Sequence, residues 1–295
     1  MRRNGGKMKH LIKISDLTAE DIHNIFSVAD EMEEHSKDLV GKTIALFFPD
    51  TSIRTKMSFE KGIRMLGGQT ICFPSEALDT QEDIKDFMGY LANWADCIVV
   101  RHEDPTMADY MAEHSEIPVI NAMSDEAHPC EVLSDLYALS KDRIDFMTDS
   151  YLFVGPKGNV GYSYLEAAQI LGLSLTQCCP VGFEMPGVDV ENDLAHAIQE
   201  KDIIITDSNA KTVEAFSDYQ ITYDLMEMAN DGAILNPCPP FVRGREVSDD
   251  VIESEFFVGY EFKKHLLRVE QAVLLYCMGD MQEGMSLGWL GEPVL

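Results

Sequence analysis

Ser52, Ile53, Arg54 and Thr55 place two hydroxyls and a guanidinium within four consecutive residues. A short apolar run from Thr43 to Phe48 precedes them and reads as a buried strand, which Pro49-Asp50 breaks. Phe59, Ile63 and Leu66 then recur at helical spacing, so a helix starts near Ser52. The first backbone N–H groups of a helix have no partner within it and attract an anion. Hydroxyl donors and a planar guanidinium fork suit phosphate as that anion. Taken alone, the same residues also read as an ordinary cap beside a solvated arginine.

Three further stretches carry chemistry. Asp96 to Arg101 is an apolar run that ends in a guanidinium, and the carboxyl end of a strand is where an open α/β sheet presents its ligands. His128-Pro129-Cys130-Glu131 precedes a helix whose inner face is Val132, Leu133, Leu136 and Leu139. An imidazole at a helix N-terminus favours its neutral form, which can donate one hydrogen bond to a carbonyl oxygen. Asn236-Pro237-Cys238-Pro239-Pro240 is rigid and poor in N–H groups, so its carbonyls are fixed toward a ligand. The bond before Pro239 is a candidate cis peptide.

Ser52-Ile53-Arg54-Thr55 with Ser58-Phe59-Glu60, the strand-end Arg101, His128-Pro129-Cys130-Glu131 and Cys238-Pro239 resemble the motifs of the aspartate/ornithine carbamoyltransferase family. They occur in that family's order, and the resemblance runs from Met8 to about Gly279. It implies an α/β protein of two domains, each with a central parallel sheet flanked by helices, and an active site in the cleft between them. The implied divisions are a carbamoyl phosphate-binding domain at 8–143, an amine-acceptor domain at 144–265 and a C-terminal helix, 266–295, returning to the first domain. The family works as trimers or multiples of trimers.

By the same resemblance, Ser52, Ile53, Arg54, Thr55 and Arg101 bind the phosphate of carbamoyl phosphate and His128 polarises its carbonyl. Carbonyls at Cys238 and Pro239 take the carbamoyl NH2. Arg54, Arg101 and His128 form the implied catalytic set, in which a neutral amine attacks the carbamoyl carbon and phosphate leaves. Glu131 stands where the family has glutamine. It reads as a carboxyl that binds protonated, as a carboxylate recognising a cationic acceptor, or as the mark of lost activity. Asn159 aligns with the residue that reads the acceptor's α-carboxylate, and Asp207 with the aspartate that holds its amine in the ornithine branch. Gln81 occupies the loop in which the aspartate branch carries a lysine reaching a neighbouring subunit. Neither acceptor set is complete, so the acceptor is open. Glu131 and Asn236, which replaces a family histidine, also admit a non-catalytic phosphate-binding homologue.

Around these residues the elements read in sequence order. Leu11 to His35 is an opening helix capped by Thr18 with Asp21. Pro74 to Glu82 is an acidic mobile loop, Glu82 to Ala95 a helix, and Pro118 to Ala122 a strand. Tyr151 to Cys178 is a strand–helix–strand unit, but its glycines are misplaced for a dinucleotide fingerprint and its second strand ends in Gln177-Cys178 without an acid. Asp202 to Asp207 and Ala233 to Leu235 are strands, Leu194 to Gln199 lies in a helix, and Leu266 to Met278 is a last amphipathic helix. Residues 1–7 read as a flexible leader with Met8 as an internal start.

The 295 residues are 45% hydrophobic and 25% charged, as in a globular protein with room for two domains. A net charge of -28 argues against nucleic acid and against anionic membranes as partners. It also opposes an anionic substrate, but exposed charges are screened beyond about 8 Å at physiological salt, so a local arginine cluster prevails. No apolar run approaches a membrane span. Seven cysteines, an odd number without a C-x-x-C, indicate reduced thiols in a cytoplasmic protein, with no disulfide scaffold and no metal site. No cofactor is called for.

Overall fold

A computed structural model describes residues 9–279. The expected leader and residues 280–295 lie outside the described residues. The chain divides into two compact units, one running to Tyr137 and resuming at Lys264, the other spanning Ala138–Lys263.

The first unit contains strands β1 (Thr43–Phe47), β2 (Gln69–Phe73), β3 (Cys97–Arg101) and β4 (Val119–Met123), with helices α1 (Ala19–Asp30), α2 (Ile53–Met65), α3 (Ile84–Leu91), α4 (Pro105–Glu113) and the start of α5 (Pro129–Asp142). The second contains β5 (Ser150–Val154), α6 (Asn159–Leu171), β6 (Ser174–Cys178), β7 (Asp189–Glu191), α7 (Leu194–Ala197), β8 (Ile203–Thr206), α8 (Tyr223–Met226), β9 (Ile234–Pro237), α9 (Asp249–Ile252) and α10 (Gly259–Phe262). The last helix, α11 (His265–Met278), belongs to the first unit.

In the first unit all pairings are parallel and the strand order is β2-β1-β3-β4. Helices cover both faces of such a sheet, so its central strands are apolar without alternation. Ile44 to Phe47 and Cys97 to Val100 are accordingly buried, whereas edge strand β2 is half exposed. Thr18 caps α1 as its sequence indicates: the Asp21 N–H donates to Thr18 Oγ1 at 3.1 Å and the Thr18 N–H returns to Asp21 Oδ2 at 3.0 Å. The expected helix from Leu11 is shorter than its apolar residues imply. Leu11 pairs instead with the outer edge of β4, donating to Val119 O at 3.0 Å and accepting from Asn121 N at 2.8 Å.

Helix α11 is buried along most of its length and packs against α1 and α2. Its approach to α2 depends on Gly62, where a Cβ would stand 2.9 Å from Gln271 Cγ. Gln271 Nε2 uses the space to donate to Gly62 O at 3.0 Å.

The second unit is also a parallel sheet, in the order β7-β6-β5-β8-β9. Two expectations need correcting here. Strand β9 runs on through Asn236 and Pro237, whose partners on β8 are Ile205 and Thr206. The cis bond joins Pro239 to Pro240, one residue later than the Cys238–Pro239 bond. Backbone pairing explains the offset, because Cys238 N still donates to Thr206 O at 2.9 Å and keeps that residue in the extended ladder.

Candidate functional site

Each sheet reverses its direction of growth at one place, flanked by Ser52 and Arg101 in the first unit and by Asn159 and Asp207 in the second. In the first sheet β1 leads outward to β2 on one side, while β3 lies on the other. Phe47 and Val100 are register partners, so the segments leaving β1 and β3 emerge side by side. Such a switch point, at the carboxyl ends of the strands, is where this sheet type opens a crevice.

Pro49, Asp50 and Thr51 carry the chain from β1 to α2, whose N-cap is Ser52. Ser52 makes no side-chain cap bond to the helix. Its hydroxyl instead accepts from Arg101 Nη1, at 3.2 Å, across the switch point. Ser52 and Thr55 are buried, and Arg54 is exposed. The Ile53 side chain points outward, 68% exposed, and its N–H donates to Thr51 O at 3.0 Å. Two guanidiniums, two hydroxyls and a helix N-terminus thus share one edge of the sheet, an arrangement able to hold a tetrahedral anion.

His128 is reached from β4, the next strand along. It precedes α5, which opens with Pro129 at a position that needs no N–H. His128 and Glu131 are both nearly out of solvent, at 6% and 5% exposure. Cys130 between them is fully buried, and burial lifts its thiol well above the ordinary range, with Glu270 and Glu131 adding to the effect. It is a core side chain and not a nucleophile.

The stretch expected as a mobile loop, Pro74 to Glu82, is built in its first half: Ser75–Leu78 is a 3-10 turn with Ser75 and Leu78 buried. Ser75 N donates to Phe48 O at 3.2 Å, which ties this turn to the end of β1. His102, to which the motifs assign nothing, pairs with Asp79 at 3.2 Å and ties it to β3 as well. Gln81 is exposed.

The second sheet repeats the logic. Its switch point lies between β5 and β8, with Asn159 following β5 and Asp207 following β8. Asn159 Oδ1 accepts from Val160 N at 2.8 Å, and Asp207 Oδ1 from Ser208 N at 2.7 Å. Both side chains therefore sit at turns where a bound group competes with, or adds to, a local backbone bond. Asn236, Cys238 and Pro239 leave β9 beside Thr206 and Asp207, so the second unit also collects its candidates at one end of its sheet.

Three residues that support this end carried no motif signal. Gln177 is fully buried; its Nε2 donates to Gly155 O and Phe183 O at 3.0 and 3.1 Å, and its Oε1 accepts from Met185 N at 2.7 Å. It fixes the turn before Asn159. Glu246, 3% exposed, accepts from Asn209 N at 3.1 Å and Val242 N at 2.8 Å. It also pairs with Arg245, whose Nη2 reaches Ser208 Oγ at 3.4 Å. Glu246 thereby joins the turn after Asp207 to the segment after Pro240. Its burial among these polar partners was the missing signal, and only the fold supplies it.

Two parallel α/β units, each presenting polar residues at its own switch point, define a two-domain ligand-binding protein whose first domain is built for an anion. Comparison with known proteins makes this specific. Residues 9–141 match the carbamoyl-P binding domain of aspartate/ornithine carbamoyltransferase, and residues 149–277 match the Asp/Orn binding domain. An ornithine carbamoyltransferase of Methanopyrus kandleri is 31% identical, over 95% of this chain and 100% of its own. One of Chromobacterium violaceum is 29% identical, over 92% of this chain and 97% of its own. The structure of ornithine carbamoyltransferase from Pyrococcus furiosus superposes with a TM-score of 0.85 at 28% identity, covering 93% of this chain and 98% of that one. The chain belongs to the aspartate/ornithine carbamoyltransferase family. It is a carbamoyltransferase that uses carbamoyl phosphate and an amino-acid acceptor. Among the described residues no helix is long and apolar enough to cross a membrane.

Proposed function

We propose that the chain transfers the carbamoyl group to the side-chain amine of an ornithine-type amino acid. Ser52, Ile53, Arg54, Thr55 and Arg101 hold the phosphate. His128 donates to the carbamoyl oxygen, while Glu131 and the carbonyls at Cys238 and Pro239 meet the carbamoyl NH2. Asn159 reads the acceptor's α-carboxylate and Asp207 its amine. The observation that carries this reading is the 3.2 Å bond from Arg101 to Ser52, which draws a second guanidinium to the start of α2. The named relatives favour ornithine over aspartate.

In the reaction the neutral amine attacks the carbamoyl carbon, the new C–N bond forms and the C–O bond to phosphate breaks. The departing phosphate accepts the amine's proton. Orientation of both reactants and stabilisation of the developing oxyanion supply the acceleration. Arg54→Ala removes charge-assisted bonds of about 1.5–3 kcal/mol and weakens carbamoyl phosphate at least tenfold in titration calorimetry. Undiminished affinity would sink the assignment. Turnover with ornithine and none with aspartate is the matching result for the acceptor.

The working particle is a trimer. Ile53, Met57 and Met65 on α2 and Ile71 on edge strand β2 are exposed apolar side chains, with the exposed Lys61 and Arg64 between Met57 and Met65. A patch of this kind is covered by another protein surface, here a second copy. Gln81 lies on the turn expected to reach a neighbour's site. Sedimentation equilibrium is expected to give three chain masses, and Met57→Glu to lower it; a monomeric wild type contradicts the proposal. Seven unbridged cysteines favour a reducing, cytoplasmic setting.

A further inference from the structure

The acceptor of the proposed reaction carries a carboxylate, and neither residue assigned to its head, Asn159 or Asp207, is a cation. A carboxylate drawn out of water needs a charge or several donors to replace its hydration. The second unit holds a guanidinium at the same end of its sheet. Arg245 belongs to the segment that follows β9, and its side chain is 26% exposed, held by the protein and still open to a ligand. Its Nη2 donates to Ser208 Oγ at 3.4 Å, one residue beyond Asp207. Arg243, two residues earlier, is committed instead to Glu253 at 2.7 Å and Asp249 at 3.6 Å.

Glu246 anchors this guanidinium. Its Oε1 accepts from Arg245 Nε at 2.7 Å, from Arg245 Nη2 at 2.6 Å and from Asn209 N at 3.1 Å. The guanidinium and the turn from Asp207 to Asn209 are therefore joined at one atom. Glu246 Oε2 accepts from Val242 N at 2.8 Å, which fixes the carboxylate from its other side. One edge of the guanidinium is thus engaged, and among the described residues nothing accepts from Nη1. A planar fork with one edge anchored and another unused is preorganised for a second carboxylate. The same turn leaves acceptors unanswered: Asn209 Oδ1 and Thr206 Oγ1 are buried without a protein partner. A Cβ on Gly155 would stand 3.6 Å from Asp207 N, so the turn that leads to Asn159 lies against this one.

We propose that Arg245 is a specificity-determining residue of the acceptor site: anchored by Glu246, its guanidinium binds the acceptor's α-carboxylate alongside Asn159, while Asp207 takes the α-amine beside that carboxylate. Arg245 and Asp207 bring opposite charges to one turn, and the head of an amino acid carries opposite charges on adjacent groups, so the two patterns are complementary. The arrangement selects an α-amino acid over a diamine or an amino amide of the same length. Glu246 is a positioning residue, acting through Arg245. The inference rests on the reading of this end of the second sheet as the acceptor site.

The probes are ornithine and its carboxamide, which keeps both amines and lacks the negative charge. The readout is the ratio of kcat/KM for the two with the full chain, a ratio that a general loss of activity or stability does not move. The wild type is expected to prefer ornithine by about tenfold or more, the worth of a charge-assisted bond. Arg245→Gln is expected to bring the ratio within about threefold of unity, with the KM for carbamoyl phosphate unchanged. Arg245→Lys keeps the charge and loses the fork, and is expected to lower the preference by about threefold or more. A wild type without the preference, or a preference retained in full by either variant, overturns the role of Arg245 and leaves the acceptor site standing. No turnover of ornithine by the wild type removes the acceptor reading and the role of Arg245 with it.

Discussion

Glu246 and Glu270 are both glutamates almost removed from water, and their surroundings push them in opposite directions. Burial alone raises a carboxyl's pKa, but at Glu246 the Arg245 guanidinium and the N–H groups of Val242 and Asn209 outweigh it and hold the carboxyl below the ordinary range. Its stabilising contribution is complete above the unfolded pKa and is lost as pH falls through the folded one. Glu246→Ala leaves Arg245 uncompensated and two N–H groups unanswered. We expect a loss of about 2–4 kcal/mol in urea denaturation. Because Glu246 ties down the turn after Asp207, the acceptor's KM should rise while that of carbamoyl phosphate stays unchanged. At Glu270 the sign reverses. The folded state holds the proton above the unfolded pKa, so stability falls as pH rises from that value toward the folded pKa, by up to about 1.4 kcal/mol per pH unit. Glu270→Leu is expected to flatten that part of the profile and raise the melting temperature at pH 7.

At the scale of elements, positioning depends on close approaches of helix and strand. A Cβ at Gly161 would stand 2.7 Å from Phe153 Cε1 and 2.8 Å from Met185 Sδ. Glycine therefore lets α6 lie against β5 and sets where Asn159 begins the helix. Gly161→Ala gains helix propensity but overpacks a filled core, and the expected net cost is about 1–3 kcal/mol, read as a lower urea midpoint. A midpoint equal to or above wild type would mean that Phe153 and Met185 have room to move. The main strands and longer helices were legible because their apolar runs are long and their breakers sharp, as at Pro49-Asp50 or the Thr18–Asp21 cap. What escaped was local or tertiary. Strand β7 has three residues and helices α8 to α10 four each, too short for periodicity to register. Helix α4 did carry a signal, Asp104 as N-cap with Pro105 following, but within an irregular stretch. Strand β9 passes through Pro237 because β8 holds it there, a tertiary effect that local breaker rules cannot anticipate. The residues proposed for phosphate could be named from the sequence for the opposite reason, since their chemistry is concentrated in contiguous motifs. Gln177 and Glu246 take their roles from partners that the fold brings in, Gly155 for the one and Asn209, 37 residues away, for the other.

On the scale of the whole molecule, a net charge of -28 surrounds a site for a dianion. Screening over about 8 Å leaves the choice to the nearest charges, and in the proposed phosphate site these are Arg54 and Arg101. The division into units has a different kind of consequence. Helix α11 belongs to the first unit but is separated from it in sequence by the whole of the second, Ala138–Lys263. A ribosome delivers residues in order, so β1 to β4 are exposed for some time before the helix that covers α1 and α2 exists. The second unit is contiguous and has its full sheet as soon as it emerges. Domains that fold as they are made usually complete from the N-terminus. Here the order is inverted: the later unit can close first, and the earlier one waits, with Gly62 and the flank of α2 uncovered, for the final helix to be synthesised.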